Sequence, residues 1–324
     1  LNVQTAEPIG QPFQHDDVVR DVRFSPDGHR VATASRDKTA RVWDVHTREP
    51  ITEPIRHHDA VWTAEFSPDG KRLLTASADR TAQVWDVRPN RALVHVLPHT
   101  MRIISVDWSA DGRRVLAVSP GEAHVWDAET GQPTEGPAMA SLRGIRCARF
   151  SPDGNSLVLA MGDGTAQVLD GRGQQSLSPH LAHQGAVLDA AFSPDGRLIV
   201  TASDDRSARV WDCASGQPRG ESLRHNDSVR TARFSPDGQT VVTASADHTA
   251  RLWNAATSEP RSPALKHDDV VVSAQFSPTG EQIVTASWDH SARVWDAGSG
   301  TIHGSPLRHT APVLSAQFSP DGKW

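Results

Sequence analysis

Short apolar runs and polar turns alternate along this chain in a rhythm that returns every 42 residues. The copy from His57 to Asp86 shows the unit. Val61-Trp62-Thr63-Ala64-Glu65-Phe66 is rich in β-formers and predicts a strand. Ser67-Pro68-Asp69-Gly70 predicts a tight turn, because Pro presets φ at its second position and Gly suits its last. Arg72 to Ser77 predicts a second strand, Ala78-Asp79-Arg80 a turn, and Thr81 to Asp86 a third strand. A polar link then leads to a weaker fourth strand, whose prolines suit an outer edge where a missing N–H does least harm. The anchor ending the first strand falls at Phe24, Phe66, Trp108, Phe150, Phe192, Phe234, Phe276 and Phe318. A fixed period of this size marks a repeat architecture, in which each unit needs its neighbours to bury a core. Four short antiparallel strands per unit predict an all-β fold of blades around an axis.

The most constant stretch is Ala34-Ser35-Arg36-Asp37-Lys38-Thr39-Ala40-Arg41-Val42-Trp43-Asp44, which returns nearly unchanged at 76–86, 202–212, 244–254 and 286–296. A His stands nine residues before most anchors, at His15, His57, His99, His183, His225, His267 and His309. Together with the Val-Trp-Asp endings and the Ser-Pro-Asp-Gly turns, these features resemble the WD40 repeat family over essentially the whole chain. Within that family the uniform, Arg-rich copies are most similar to the highly repetitive bacterial members. The resemblance implies a single β-propeller over residues 1–324, with seven four-stranded blades, or eight if more chain follows Trp324. It also implies that residues 7–14 complete the last blade as an outer strand, with 301–324 the start of a further repeat.

Five copies hold four polar residues in one register: His15/Thr33/Asp37/Trp43, His57/Thr75/Asp79/Trp85, His183/Thr201/Asp205/Trp211, His225/Thr243/Asp247/Trp253 and His267/Thr285/Asp289/Trp295. The resemblance implies a hydrogen-bonded tetrad inside each blade. The chemistry suits one, since Trp and Thr donate, Asp accepts repeatedly and His bridges. A closed network satisfies all of these buried groups together. The same residue types make hydroxyl–His–Asp triads, but an enzyme needs one activated nucleophile rather than five. Copy three keeps His99 and Trp126 but carries Val118-Ser119-Pro120-Gly121 in place of the Asp loop. Copy four keeps Asp163 but has Ser141, Leu159 and Leu169 at the other three positions. Both read first as drift, with partners lost together because half a network is worse than none; the alternative is that this adjacent pair faces a partner or moves more easily.

Elsewhere the copies differ. Five residues after the His stand Arg20, Trp62, Ile104, Arg146, Leu188, Arg230, Val272 and Leu314. Two positions earlier comes Arg102 in the third copy, and just before the tetrad Asp come Arg36 and Trp288. The resemblance implies that these positions line one mouth of the propeller channel, the face on which the family most often binds partners. Arg20, Arg36, Trp62, Arg102, Ile104, Arg146, Leu188, Arg230 and Trp288 are therefore the expected partner-binding residues. Arg and Trp are enriched at interface hot spots, and guanidinium groups grip carboxylates or phosphates bidentately.

Net charge is −6 with no acidic tail or basic block, which argues against bulk nucleic-acid binding. No apolar run approaches the roughly 18 residues of a membrane helix. Cys147 and Cys213 make no disulfide framework, a mild argument for a reducing, cytoplasmic setting. Histidines off the repeat phase, such as His95 and His124, show no metal-ligand spacing, so no metal or cofactor is expected. The leading expectation is a non-catalytic scaffold or sensor module for a protein or peptide, acidic or phosphorylated. The alternatives are an enzyme with a channel site at Asp21, Asp189 or Asp204, and a purely structural repeat fragment. By analogy with bacterial relatives, a kinase or NTPase domain is expected in the same parent chain, although this segment holds no such motif.

Overall fold

The computed structural model describes residues 12–88, 93–134, 142 and 144–323. Each repeat folds into one antiparallel sheet whose strands pair in chain order. The first comprises Val19–Phe24, Arg30–Ser35, Thr39–Asp44 and Ile55–Arg56. The second runs from Val61–Phe66 to Leu93–Pro98, the fifth from Val187–Phe192 to Pro218–Arg224, and the sixth from Val229–Phe234 to Leu265–Lys266. The third shows three strands, Ser105–Trp108, Arg114–Ser119 and Glu122–Asp127, plus a bridge from Trp126 to Pro133. The fourth holds Ile145–Phe150, Ser156–Met161, Thr165–Asp170 and Leu181–Ala182. No helix occurs among the described residues, and none is long and apolar enough to cross a membrane.

The turns form as their residues dictate. Ser25 Oγ donates to Asp27 Oδ1 at 2.5 Å and accepts the Arg30 N–H at 2.9 Å. Gly28, at φ 72°, donates to the Ser25 carbonyl at 2.9 Å. That left-handed conformation is why the turn ends in Gly.

The core lies between successive sheets. Leu74, Val84 and Leu97 of the second pack against Ile103, Val115 and Trp126 of the third, all buried. Val242, Leu252 and Leu265 of the sixth pack likewise against Val271, Ile283 and Trp295 of the seventh. The described chain forms two compact units, one of 12–157 with 169–175, the other of 158–168 with 176–323.

The edge of the seventh sheet differs from expectation. Its fourth strand is Ile302–Arg308 of its own repeat, with Ala292 opposite Leu307 and Trp295 opposite Ile302. Of the stretch expected there, 12–14 forms no strand, and 7–11 lie outside the described residues. A local hairpin through Gly300, whose N–H reaches the Asp296 carbonyl at 2.9 Å, supplies the edge with a short loop to close. Beyond it, the Val313 N–H donates to the Ser287 carbonyl at 3.0 Å, as Ile103 does to Ser77 at 3.3 Å in the repeat phase. Residues 313–318 nevertheless form no strand.

Candidate partner-binding site

An internal brace holds the loops that could bind. His15 Nδ1 lies 2.8 Å from Asp37 Oδ2, and its Nε2 lies 2.7 Å from Thr33 Oγ1. Trp43 Nε1 donates to Thr33 Oγ1 at 2.8 Å. The same three contacts recur in three later repeats. His183 lies 2.9 Å from Asp205 and 2.7 Å from Thr201, which accepts from Trp211 at 2.8 Å. His225 lies 2.9 Å from Asp247 and 2.7 Å from Thr243, which accepts from Trp253 at 2.8 Å. His267 lies 2.7 Å from both Asp289 and Thr285, and Thr285 accepts from Trp295 at 2.9 Å. Repeat two differs. His57 reaches Asp79 at 3.1 Å and Thr75 at 2.8 Å, but Trp85 Nε1 has no partner among the described residues. Gln83 stands there in place of Arg, so no guanidinium covers the indole as Arg41 covers Trp43 and Arg209 covers Trp211.

Each brace has a further member that the sequence pattern left unread. The hydroxyl two residues after the Asp donates to it at 2.6–2.7 Å, from Thr39, Thr81, Ser207, Thr249 and Ser291. Burial alone would raise the Asp37 carboxyl, but bonds from Thr39, His15 and the Asp16 N–H outweigh it and hold the group at about 2. Burial pushes His15, His57, His183 and His267 down. A neutral imidazole then donates from Nδ1 to Asp and accepts the Thr proton at Nε2. Thr33, Thr75, Thr201, Thr243 and Thr285 are at most 2% exposed, so none of their hydroxyls can meet a substrate. Trp43, Trp211, Trp253 and Trp295 are buried with them, which makes these residues internal supports and leaves none of them at a binding surface.

The divergent positions have a structural origin. In repeat one the ladder passes from Val19 opposite Ser35 to Asp21 opposite Ala34, skipping Arg20. Trp62, Leu188, Arg230 and Val272 are skipped in the same way. Such a β-bulge bends the strand and re-aims its side chain, so these residues escape the pairing that constrains the rest. Ile104 is the exception, since its N–H pairs with the Val118 carbonyl at 2.8 Å.

In the first unit two bulge residues, Arg20 and Trp62, come together with Arg102, which lies just ahead of the third repeat's first strand. The Arg20 guanidinium carbon lies 4.7 Å from the centre of the Trp62 ring, and that of Arg102 lies 5.9 Å from it. Trp62 Nε1 and Arg20 Nε have no hydrogen-bond partner among the described residues. No hydrogen bond or ion pair among these residues joins Arg36, Ile104 or Arg146 to the stack. Arg146 is exposed, and Arg36 lies 3.8 Å from the Asp17 carboxylate, an exposed pair of little energetic weight. In the second unit Leu188 and Arg230 are half-buried, while the Trp288 side chain stands out at 43% exposure.

The three lone carboxylates are all engaged. Asp21 accepts from Thr63 Oγ1 at 2.6 Å and Arg23 Nε at 3.2 Å. Asp189 pairs with Arg233, and Asp204 accepts from Ser228 Oγ at 2.5 Å. A second divergent row, absent from the expected positions, lies eight residues after the His: Arg23, Glu65, Asp107 and Arg149. Its two acids flanked by two arginines were the available signal. With Asp21 these make three acids to two arginines in the first unit. Burial pushes the Glu65 carboxyl well up, reinforced by Asp107 and opposed by Arg23. Burial also raises Asp107, against the pull of Arg149 and two backbone N–H groups. Arg23 keeps 37% of its side-chain surface accessible, and Glu65, Asp107 and Arg149 are half-buried.

These sheets, turns and braces define a β-propeller of seven antiparallel blades. The family model "WD domain, G-beta repeat" matches residues 7–44, 48–86, 91–127, 174–212, 216–254 and 263–296, and the chain belongs to this WD40 repeat family. The unmatched interval holds the fourth copy, which has lost three of its four tetrad members. Among solved structures, the computationally designed Ika8 protein is similar in fold, with a TM-score of 0.80 and 24% identity over 95% of both chains. No curated protein matches the chain.

Proposed function

We propose that this propeller is a non-catalytic interaction module that grips an acidic or phosphorylated peptide on its arginine-bearing bulge positions. The observation that carries the reading is the stack of Arg20 and Arg102 over Trp62. Cation–π attraction of about 0.5–2 kcal/mol holds each guanidinium against the ring. No carboxylate lies within ion-pair distance of Arg20, Arg102 or Arg146 among the described residues, so an anion would be the missing partner. Trp62 Nε1 adds an unused donor beside them. Arg20 and Trp62 sit on strands, and Arg102 on the short link just ahead of Ser105–Trp108, which favours preorganised binding. Trp288 and Arg230 offer the same residue chemistry within the second unit. The reading extends to a cytoplasmic signalling role beside a kinase or NTPase domain of the same parent chain.

A panel of peptide pairs differing only in phosphorylation, titrated by fluorescence anisotropy, tests this. The wild-type chain should prefer the phosphorylated or polyacidic member. The Arg102→Glu/Arg146→Glu double variant should lose at least about tenfold in affinity, since one charge-assisted hydrogen bond is worth that much. Equal binding by variant and wild type would remove this face from the account.

A further inference from the structure

Repeat three has lost the Thr and Asp of the tetrad but keeps His99, and the groups in their place are of another kind. Its hairpin tightens so that Ser119 pairs with Glu122 and Val118 with Ala123. Glu122 thereby stands where repeat one has Thr39, and His124 where it has Arg41. Ala117, opposite His124, replaces the Thr and offers no hydroxyl. The His99 side chain has no accessible surface, and neither ring nitrogen has a hydrogen-bond partner among the described residues. Its Nδ1 lies 3.5 Å from Glu122 Oε1, and His124 Nε2 lies 3.7 Å from Glu122 Oε2. The two imidazole rings meet edge-on at 5.2 Å. One donor atom from each of the three side chains falls within 4.8 Å of the others.

We propose that His99, Glu122 and His124 bind a divalent transition-metal ion of the zinc type, with a fourth position left for water. Metal bonds of about 2.0–2.2 Å to nitrogen and oxygen imply ligand separations of roughly 3.3–3.5 Å around a tetrahedral ion. The His99–Glu122 separation already has that value, and the His124–Glu122 separation is close to it. Both are too long for good hydrogen bonds. Two imidazoles with one carboxylate select zinc, copper or nickel over magnesium or calcium. Glu122 is already oriented, because its Oε1 accepts the Thr100 N–H at 2.7 Å and the Ser119 hydroxyl at 3.2 Å. Such outer partners fix the carboxylate's orientation, with Oε1 toward His99 and Oε2 toward His124. His124 is 35% exposed and provides the entry path. Trp126 lies 5.8 Å from His124 and 6.3 Å from His99, an aromatic wall behind the site. The ion would join the link before the first strand to the third strand, the same two segments that the tetrad joins in other repeats.

The test uses the untagged chain, titrated with zinc chloride by calorimetry and with cobalt(II) by visible absorption. Wild type should bind one equivalent of zinc with sub-micromolar Kd, show the d–d bands of four-coordinate cobalt, and gain thermal stability with zinc. His124→Gln and Glu122→Gln change partly exposed side chains and should fold normally by circular dichroism. Each should lower the affinity at least about 100-fold, the upper end of what even an outer-partner substitution costs, and abolish the cobalt bands. His46→Gln, at the surface pair His29–His46 with rings 5.8 Å apart, should change nothing. Zinc binding that survives both site substitutions, or no stoichiometric binding by folded wild type, overturns the proposal.

Discussion

Asp205→Ala measures what one brace contributes. Asp205 accepts four hydrogen bonds, from His183 at 2.9 Å, the Gln184 N–H at 3.1 Å, the Ser207 N–H at 3.0 Å and the Ser207 hydroxyl at 2.6 Å. Burial acts to raise this carboxyl, but the bonds from Ser207, Gln184 and His183 win and hold it below the usual carboxylate range. The Ala variant strands the His183 Nδ1–H and the Ser207 N–H in a dry place, since the His183 side chain has no accessible surface and Ser207 is 2% exposed, while the Ser207 hydroxyl is free to rotate. The Gln184 N–H is exposed and recovers a water. At about 1–3 kcal/mol per stranded buried donor, the expected loss is about 2–6 kcal/mol. Asp163 is the internal standard. It occupies the same repeat position but among the described residues accepts only from Thr165, through the N–H at 2.9 Å and the hydroxyl at 2.7 Å, both exposed. Asp163→Ala should therefore cost about 1 kcal/mol or less. Urea unfolding followed by tryptophan fluorescence gives both values from the midpoint shift at constant slope. Repeat arrays can lose cooperativity, so amide exchange at Thr201 and Trp211 should localise the loss to repeat five. Two variants destabilised to the same extent would refute the network account, because the position rather than its partners would then matter.

Two further outcomes follow from the first unit. Glu65 titrates higher in the fold than in the unfolded chain, so the fold binds more protons and this residue's contribution to stability falls as pH rises from about 4.3. Glu65→Gln mimics the protonated form, and its stability relative to wild type should grow from pH 5 to pH 8, reaching on the order of 1 kcal/mol; a pH-independent difference would contradict the charge balance described for that row. Gly171→Ala should cost about 1–3 kcal/mol by overpacking, since its Cβ would fall 2.5 Å from the Gly154 carbonyl oxygen and 2.7 Å from Arg114 Nη1. A thermal scan showing no loss would mean that the Arg114 bridge to Gly154 and Gly171, at 2.8 Å each, is easily remade.

What the amino-acid sequence determined by itself was everything carried by neighbouring residues. Alternating side chains and Ser-Pro-Asp-Gly turns specify strands and hairpins locally, and a 42-residue period tells which of them are equivalent. The five registers of His, Thr, Asp and Trp were legible for the same reason, because one brace copied five times shows itself as a column. Contacts made only once left no column to read. That Trp85 stays out of its brace while Trp253 and Trp295 close theirs on Thr243 and Thr285 was decided by tertiary structure. So was the sharing of Trp62 by Arg20 and Arg102, and the edging of the seventh sheet by Ile302–Arg308 of its own repeat. Gly171 reads as an ordinary turn residue until the Gly154 carbonyl and Arg114 are placed against it. His124 looks like a surface histidine until a hairpin shortened at Pro120-Gly121 sets it at the ladder position of Arg41, beside buried His99. Sequence spacing measures distance along the chain, whereas a bulge, a slipped hairpin or an unpaired ring nitrogen exists only once separate strands have been packed together.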